Sequence, residues 1–143
     1  MTTRSTKERV EILSTVPLFS DTDRKRLRDI AKLCEIRAVR PGKVLTEQGA
    51  PGRQFFVVLS GTARCEVDGR EIRKFAPGSF FGELALLAGG PRSATIVAET
   101  AMELLVLDRR DLAILLRGAP DVALKMLASI AARLQEADHH VTD

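Results

Sequence analysis

Tryptophan and tyrosine are absent from the 143 residues, and six phenylalanines are the whole aromatic content. A lid that stacks an indole or a phenol on a bound ring is therefore excluded. Histidine occurs twice, as the adjacent His139 and His140 of a polar tail. An adjacent pair has poor geometry for one metal ion, so no metal site is expected. Cysteine also occurs only twice, as Cys34 and Cys65. Two distant thiols among apolar neighbours read as small core residues, not as a disulfide framework. No apolar run approaches the ~20 residues that span a bilayer. The stretch Met1-Thr2-Thr3-Arg4-Ser5-Thr6-Lys7-Glu8 lacks the apolar core of a signal peptide. The expected location is the cytoplasm, with no membrane segment. A formal charge of +3, spread over many segments, gives nucleic-acid binding only weak support.

What is present is ordinary for a soluble globular chain: 45% apolar and 29% charged residues. The length suits one domain, residues 1–143, with a sizeable core. Ser5-Thr6-Lys7-Glu8 has the form of a capping box and opens a helix with Val10, Leu13 and Val16 inward. Pro17-Leu18-Phe19 breaks it. Ser20-Asp21-Thr22-Asp23 caps a second helix, in which Leu27, Ile30, Ala31 and Cys34 recur at helical spacing. The Arg24-Lys25-Arg26 cluster is its solvated face. These helices occupy residues 5–34.

From Glu35 the period becomes strand-like and stays so to residue 108. Phe55-Phe56-Val57-Val58-Leu59 is the strongest strand signal. Ala63, Cys65 and Val67 alternate with polar residues before Asp68-Gly69, a type I′ hairpin signal, with Ile72 and Phe75 on the return strand. Many short strands punctuated by glycine and proline indicate a jelly-roll-like β-barrel. The fold class is mainly β with flanking helices, an α+β arrangement. Helices resume over 109–138. Asp108 caps one with Leu112, Leu115 and Leu116 inward, and Pro120 starts another. In the latter, Val122, Met126, Ile130 and Leu134 form one stripe, with Ala123, Leu127 and Ala131 beside it, more than one barrel edge would cover.

The barrel is interrupted at 78–95 by a stretch with two glycine clusters, one acid, one arginine and a hydroxyl. Gly82 permits close backbone approach to a ligand. Glu83-Leu84-Ala85-Leu86 can start a helical turn whose free N–H groups face an anion. Gly89-Gly90-Pro91 turns the chain and returns Arg92, whose planar fork suits a phosphate. Glu83 beside a phosphate would be repulsive unless it faced something else, and ribose hydroxyls are the natural partner. The plainer alternative is a turn–helix corner closed by a salt bridge between Glu83 and Arg92.

Phe81-Gly82-Glu83-Leu84-Ala85-Leu86-Leu87 followed by Pro91-Arg92-Ser93-Ala94-Thr95 closely resembles the phosphate-binding cassette of cyclic-nucleotide-binding domains. Such domains occur in catabolite-activator-type regulators, protein kinase A regulatory subunits and cyclic-nucleotide-gated channels. The resemblance extends from about Val16 to about Glu136. It implies a sensor that binds cAMP more readily than cGMP and needs no cofactor. By that resemblance Arg92 and Ser93 take the cyclic phosphate and Glu83 takes the ribose. Gly82, Leu84 and Ala85 supply close approach and N–H donors, with Ala94 and Thr95 completing the motif. Cys65 and Arg73, by their place in the barrel, line the sugar or base in one register and face outward in the other. The helices after 109 act as hinge and lid, and Arg133 or Leu134 covers the base. Ala137 and Asp138 reach it from a partner if that helix forms a homodimer.

No catalytic residue and no metal ligand is expected. A metal-dependent cupin shares the barrel plan but needs histidines on its strands, and this barrel has none. A barrel that had lost its ligand and become an interaction module would be expected to lack Glu83 or Arg92. Catabolite-activator-type regulators carry a helix-turn-helix after the lid helix. The chain has no room for one, so no DNA binding is expected of it alone. It reads as a stand-alone sensor or as the sensor part of a longer regulator or channel.

Overall fold

The computed structural model describes residues 5–142, with side chains through Glu136. Helix α1 (Thr6–Ser14) starts at Ser5, whose hydroxyl accepts the Glu8 N–H. A 3₁₀ turn (Pro17–Phe19) separates it from α2 (Arg24–Leu33), where Asp23 accepts the Arg26 N–H in the same way. Eight strands follow: β1 (Glu35–Val39), β2 (Val44–Thr46), β3 (Gln54–Ser60), β4 (Ala63–Val67), β5 (Arg70–Phe75), β6 (Phe80–Phe81), β7 (Thr95–Ala98) and β8 (Met102–Asp108). Helix α3 (Glu83–Leu87) lies between β6 and β7, and α4 (Arg109–Gly118) and α5 (Pro120–Thr142) close the chain.

The strands form two four-stranded antiparallel sheets, ordered β1-β8-β3-β6 and β2-β7-β4-β5. The expected mainly β jelly roll with flanking helices is what forms. Asp68 and Gly69 both take positive φ, 54° and 79°, at the expected two-residue hairpin between β4 and β5.

The continuous apolar run of β3 has a direct cause, burial on both faces. Phe55 and Val57 pack with the helices, while Phe56 and Val58 point into the barrel. Its neighbour β8 divides likewise, Leu105 and Leu107 outward to the helices, Leu104 and Val106 inward. Phe80 and Phe81 split between the same two cores immediately before α3. The Phe81 ring stacks on Phe56 at 5.0 Å and leans on Phe75 at 5.0 Å. The backbone that enters α3 is thus fixed from both sides. Cys34 is buried in the helical core, where desolvation pushes its thiol up to about 12, as suits an inert packing residue.

The first turns of α5 are tied to the N-terminal segment. Thr22 Oγ1 donates to Asp121 Oδ2 at 2.6 Å. Lys125 Nζ donates to Ser20 Oγ and the Pro17 carbonyl and lies 2.9 Å from Asp21 Oδ2. Val122 and Met126 are buried, whereas Leu127 and Leu134 are 61% and 64% exposed. The apolar stripe of α5 therefore leaves the body of the protein along its length.

The Thr22 hydroxyl holds Asp121 below the ordinary carboxylate value, against a smaller opposing effect of desolvation. A depressed folded pKa contributes stability in full above the unfolded value of about 3.9 and loses it as pH falls through the folded value. Thr22→Val is expected to lower stability at pH 7 by about 1 kcal/mol. The deficit should shrink as pH falls below about 4. Urea melts of both proteins at pH 7 and pH 3 measure this.

Candidate functional site: an anion cradle at the mouth of the barrel

Gly82 stands at the N-cap of α3 with φ 93°, a left-handed conformation that favours glycine. A Cβ there would also fall 2.8 Å from the Gln54 carbonyl oxygen and 2.9 Å from Arg92 Nη1. Arg92 lies behind this glycine and is only 8% exposed. Its Nη1 donates to the Gly82 carbonyl at 2.9 Å and its Nη2 to the Gln54 carbonyl at 2.6 Å. Its backbone is clamped as well. Arg92 N–H donates to Ala50 O at 2.8 Å, and Gly49 N–H donates to Arg92 O at 2.9 Å. Among the described residues Arg92 makes no ion pair. Burial draws its pKa below the ordinary arginine value, with the Glu83 charge acting the other way. It remains a cation.

Glu83 is 1% exposed at the first position of α3. The expected alternative of a Glu83–Arg92 salt bridge is not what forms. Glu83 Oε1 instead accepts from Arg133 Nη1 of α5 at 3.0 Å, and Arg133 Nη2 donates to the Phe80 carbonyl at 2.8 Å. The Arg133 guanidinium lies 4.8 Å from the centre of the Phe80 ring and 5.8 Å from that of Phe75. Glu83 Oε2 has no protein partner among the described residues.

These groups surround a cavity of about 410 Å³ at the barrel mouth, within the usual range of small-molecule sites. Arg92, Ser93 and Ala94 line it together with Gly82, Glu83, Leu84 and Ala85. Cys65 and Arg73 belong to the barrel wall, and Ile130, Arg133 and Leu134 come from α5. Burial raises the Cys65 thiol, so it presents a neutral surface to the cavity. Thr95 alone of the expected residues lies outside the lining. Its hydroxyl accepts the Gln48 N–H at 2.9 Å and braces the loop that holds Arg92. Ala137, Asp138, His139 and His140 lie outside the described side chains.

Sequence reasoning missed Thr46 in the wall, whose hydroxyl donates to the Ala94 carbonyl. It also missed the carbonyls of Gln54 and Phe80. A backbone acceptor has no residue signature, and nothing in the chain could have marked them. The Glu83–Arg133 pair joins groups 50 residues apart and was equally hidden.

The fold and site define a class, a jelly roll whose cavity is lined by one buried cation, a short helix N-terminus and a carboxylate. A family model described as cyclic nucleotide-binding domain matches residues 36–118, more than half of the chain. The chain belongs to that family. It is 34% identical over 113 residues to a cyclic nucleotide-gated potassium channel of Mesorhizobium japonicum, covering 79% of this chain and 31% of the channel. It is 35% identical over 105 residues to a cAMP-dependent protein kinase regulatory subunit of Mucor circinelloides, covering 73% and 25%. The chain thus spans a third or less of these relatives. Among solved structures, the catabolite activator protein of Thermus thermophilus superposes with TM-score 0.78 at 35% identity, covering 87% of this chain and 61% of that one. A cAMP-bound PfPKA-R fragment superposes with TM-score 0.79 at 29% identity, covering 93% and 47%.

Removing Arg133 would leave a buried carboxylate without its cation. Arg133→Ala is expected to lower the stability of the ligand-free protein by about 1–3 kcal/mol while leaving it folded. Arg133→Lys should recover only part of that, because an ammonium cannot reproduce both planar hydrogen bonds. Urea midpoints of the three proteins test it.

Proposed function

We propose that this cyclic nucleotide-binding domain takes a purine 3′,5′-cyclic nucleotide, cAMP in preference to cGMP, and signals its presence through α5. The observation that carries this reading is Arg92, a buried cation held by two carbonyls with no carboxylate paired to it among the described residues. Its remaining N–H groups and the Ser93 hydroxyl take the cyclic phosphate, joined by backbone donors of α3. Gly82, Leu84 and Ala85 give the ligand its close approach to that helix. Glu83 Oε2 accepts from the ribose while Oε1 stays with Arg133, so the acid that meets the sugar also holds the lid. Cys65 and Arg73 flank the sugar and base, and Leu134 with the aliphatic part of Arg133 covers the purine. The preference for cAMP rests on Ser93, which follows the arginine where cGMP-selective relatives often carry threonine.

The role is regulatory, without catalytic residues and without metal or other cofactor. A ligand shifts a conformational balance only through contacts that differ between its states. Here those contacts are Arg133 and Leu134, on the part of α5 beyond its anchored first turns. Location in the cytoplasm is part of the same reading. No helix among the described residues is long and apolar enough to cross a membrane. The chain serves alone or as the sensor part of a longer regulator or channel.

Calorimetry and melting curves test the reading. At ~100 times its dissociation constant cAMP should add about 2.7 kcal/mol to folding, a shift of a few degrees. Arg92→Ala should remove most of the shift and Arg92→Lys only part. Arg133→Ala should weaken cAMP several-fold, as the carboxylate loses its orientation. Unchanged melting at millimolar cAMP and cGMP would leave the family's fold serving as a ligand-free interaction module. Tighter cGMP than cAMP would overturn the selectivity.

The exposed face of α5 supports a homodimer. Leu124, Leu127, Ala131 and Leu134 are exposed at spacings of three, four and three, the pattern of a two-helix seam. Sedimentation should find a dimer for the wild type and a monomer for Leu127→Glu.

A further inference from the structure

We infer that Gly52 is a positioning residue for Arg92, working from outside the pocket. The inference rests on Arg92 as the phosphate ligand. Gly52 lies in the loop between β2 and β3, away from the cavity lining. It is absent from the glycines with positive φ, so its backbone conformation does not call for glycine. Space does. A Cβ on Gly52 would fall 2.5 Å from Arg92 Nε, 2.7 Å from Arg92 Cζ and 2.8 Å from Ala85 Cβ. The glycine is the flat back wall on which the guanidinium lies.

Neither neighbour can yield without moving the anion site. The backbone of Arg92 is fixed to this same loop by its bonds with Ala50 and Gly49 and by the bridge between Pro51 and Pro91. The side chain must therefore absorb the displacement. Its Nη1 and Nη2 already sit on the carbonyls of Gly82 and Gln54, and tilting the plane breaks those bonds. Ala85 belongs to α3, where its carbonyl accepts from Arg109 Nη2 at 3.1 Å. Pushing it away moves the helix that offers N–H groups to the ligand. The atoms nearest an added Cβ belong to Arg92 and Ala85, and neither residue is part of the two apolar cores. The cost of an added side chain should therefore appear in ligand affinity before it appears in stability.

The test is calorimetric titration with cAMP of the wild type, Gly52→Ala, Gly52→Val, Arg92→Lys and the Gly52→Ala/Arg92→Lys double variant. Gly52→Ala should bind about tenfold more weakly and Gly52→Val about a hundredfold or more. Both should melt within a few degrees of the wild type. Lysine keeps atoms in the places of Nε and Cζ but lacks the Nη pair that ties the guanidinium to the Gly82 and Gln54 carbonyls, so its chain can tilt aside without breaking those bonds. Adding Gly52→Ala to Arg92→Lys should therefore cost at most about twofold, a coupling that a merely structural glycine would not show. An equal loss in both backgrounds, or unchanged affinity in Gly52→Ala and Gly52→Val while Arg92→Lys is weakened, would overturn the inference. Unchanged affinity in Arg92→Lys and in Arg92→Ala would instead remove Arg92 as the phosphate ligand, and the inference with it.

Discussion

A buried guanidinium with no carboxylate against it is unfavourable to keep, and the structure of this chain depends on how that charge is held. Desolvation disfavours the cation, and only hydrogen bonds donated to acceptors or an arriving anion offset the loss. Here two carbonyls, of Gly82 and Gln54, meet the guanidinium from one side. Carbonyls satisfy donors without neutralising charge. Arg92 is therefore oriented and partly satisfied, yet still carries a positive field into the cavity. A paired carboxylate would have cancelled that field and left an ion pair for a ligand to break.

The carbonyls stay in place because their strands do. Gln54 opens β3, the strand buried on both faces, and Gly82 follows directly on Phe80 and Phe81, which enter separate cores. The two carbonyl positions are thus set by packing of large side chains on either side of the sheet. The precision of a polar site is borrowed from the apolar layers around it. This also accounts for the glycines. Gly82 lets the chain turn where its carbonyl must face Arg92, and Gly52 leaves room for the plane of the guanidinium.

Much of this was legible in the chain, for reasons particular to each element. The cassette is contiguous from Phe81 to Thr95, so its pattern survives in one dimension. The strands showed through alternation at Ala63, Cys65 and Val67 and through the unbroken run at Phe55–Leu59. Helix starts showed because Ser5, Asp23 and Asp108 are local caps, each bonded three residues on. What stayed hidden was long-range or carried by backbone. Thr95 matched the motif yet turns its hydroxyl to the Gln48 N–H, because strand alternation sends it away from the cavity. Arg133 was expected beside the cavity and lines it, but its partner was not legible, since the pair spans 50 residues and depends on where α5 lies.

Helix α5 is fastened at two separate places, to the N-terminal segment and beside the cation site. Its first turns are fastened to the N-terminal segment by Asp121 and Lys125. Its middle is fastened to the cassette by one side chain, Arg133, through one oxygen of Glu83 and the Phe80 carbonyl. Between these points the apolar stripe turns outward, leaving Leu127 to solvent. A helix held firmly at one end and by a few polar bonds farther on responds to changes at the second point and resists change at the first. Because Glu83 belongs to the cavity and to that second fastening at once, any ligand that alters the setting of this carboxylate alters the hold on α5. Under the proposed function no separate relay is required between pocket and helix, since one acid stands at both.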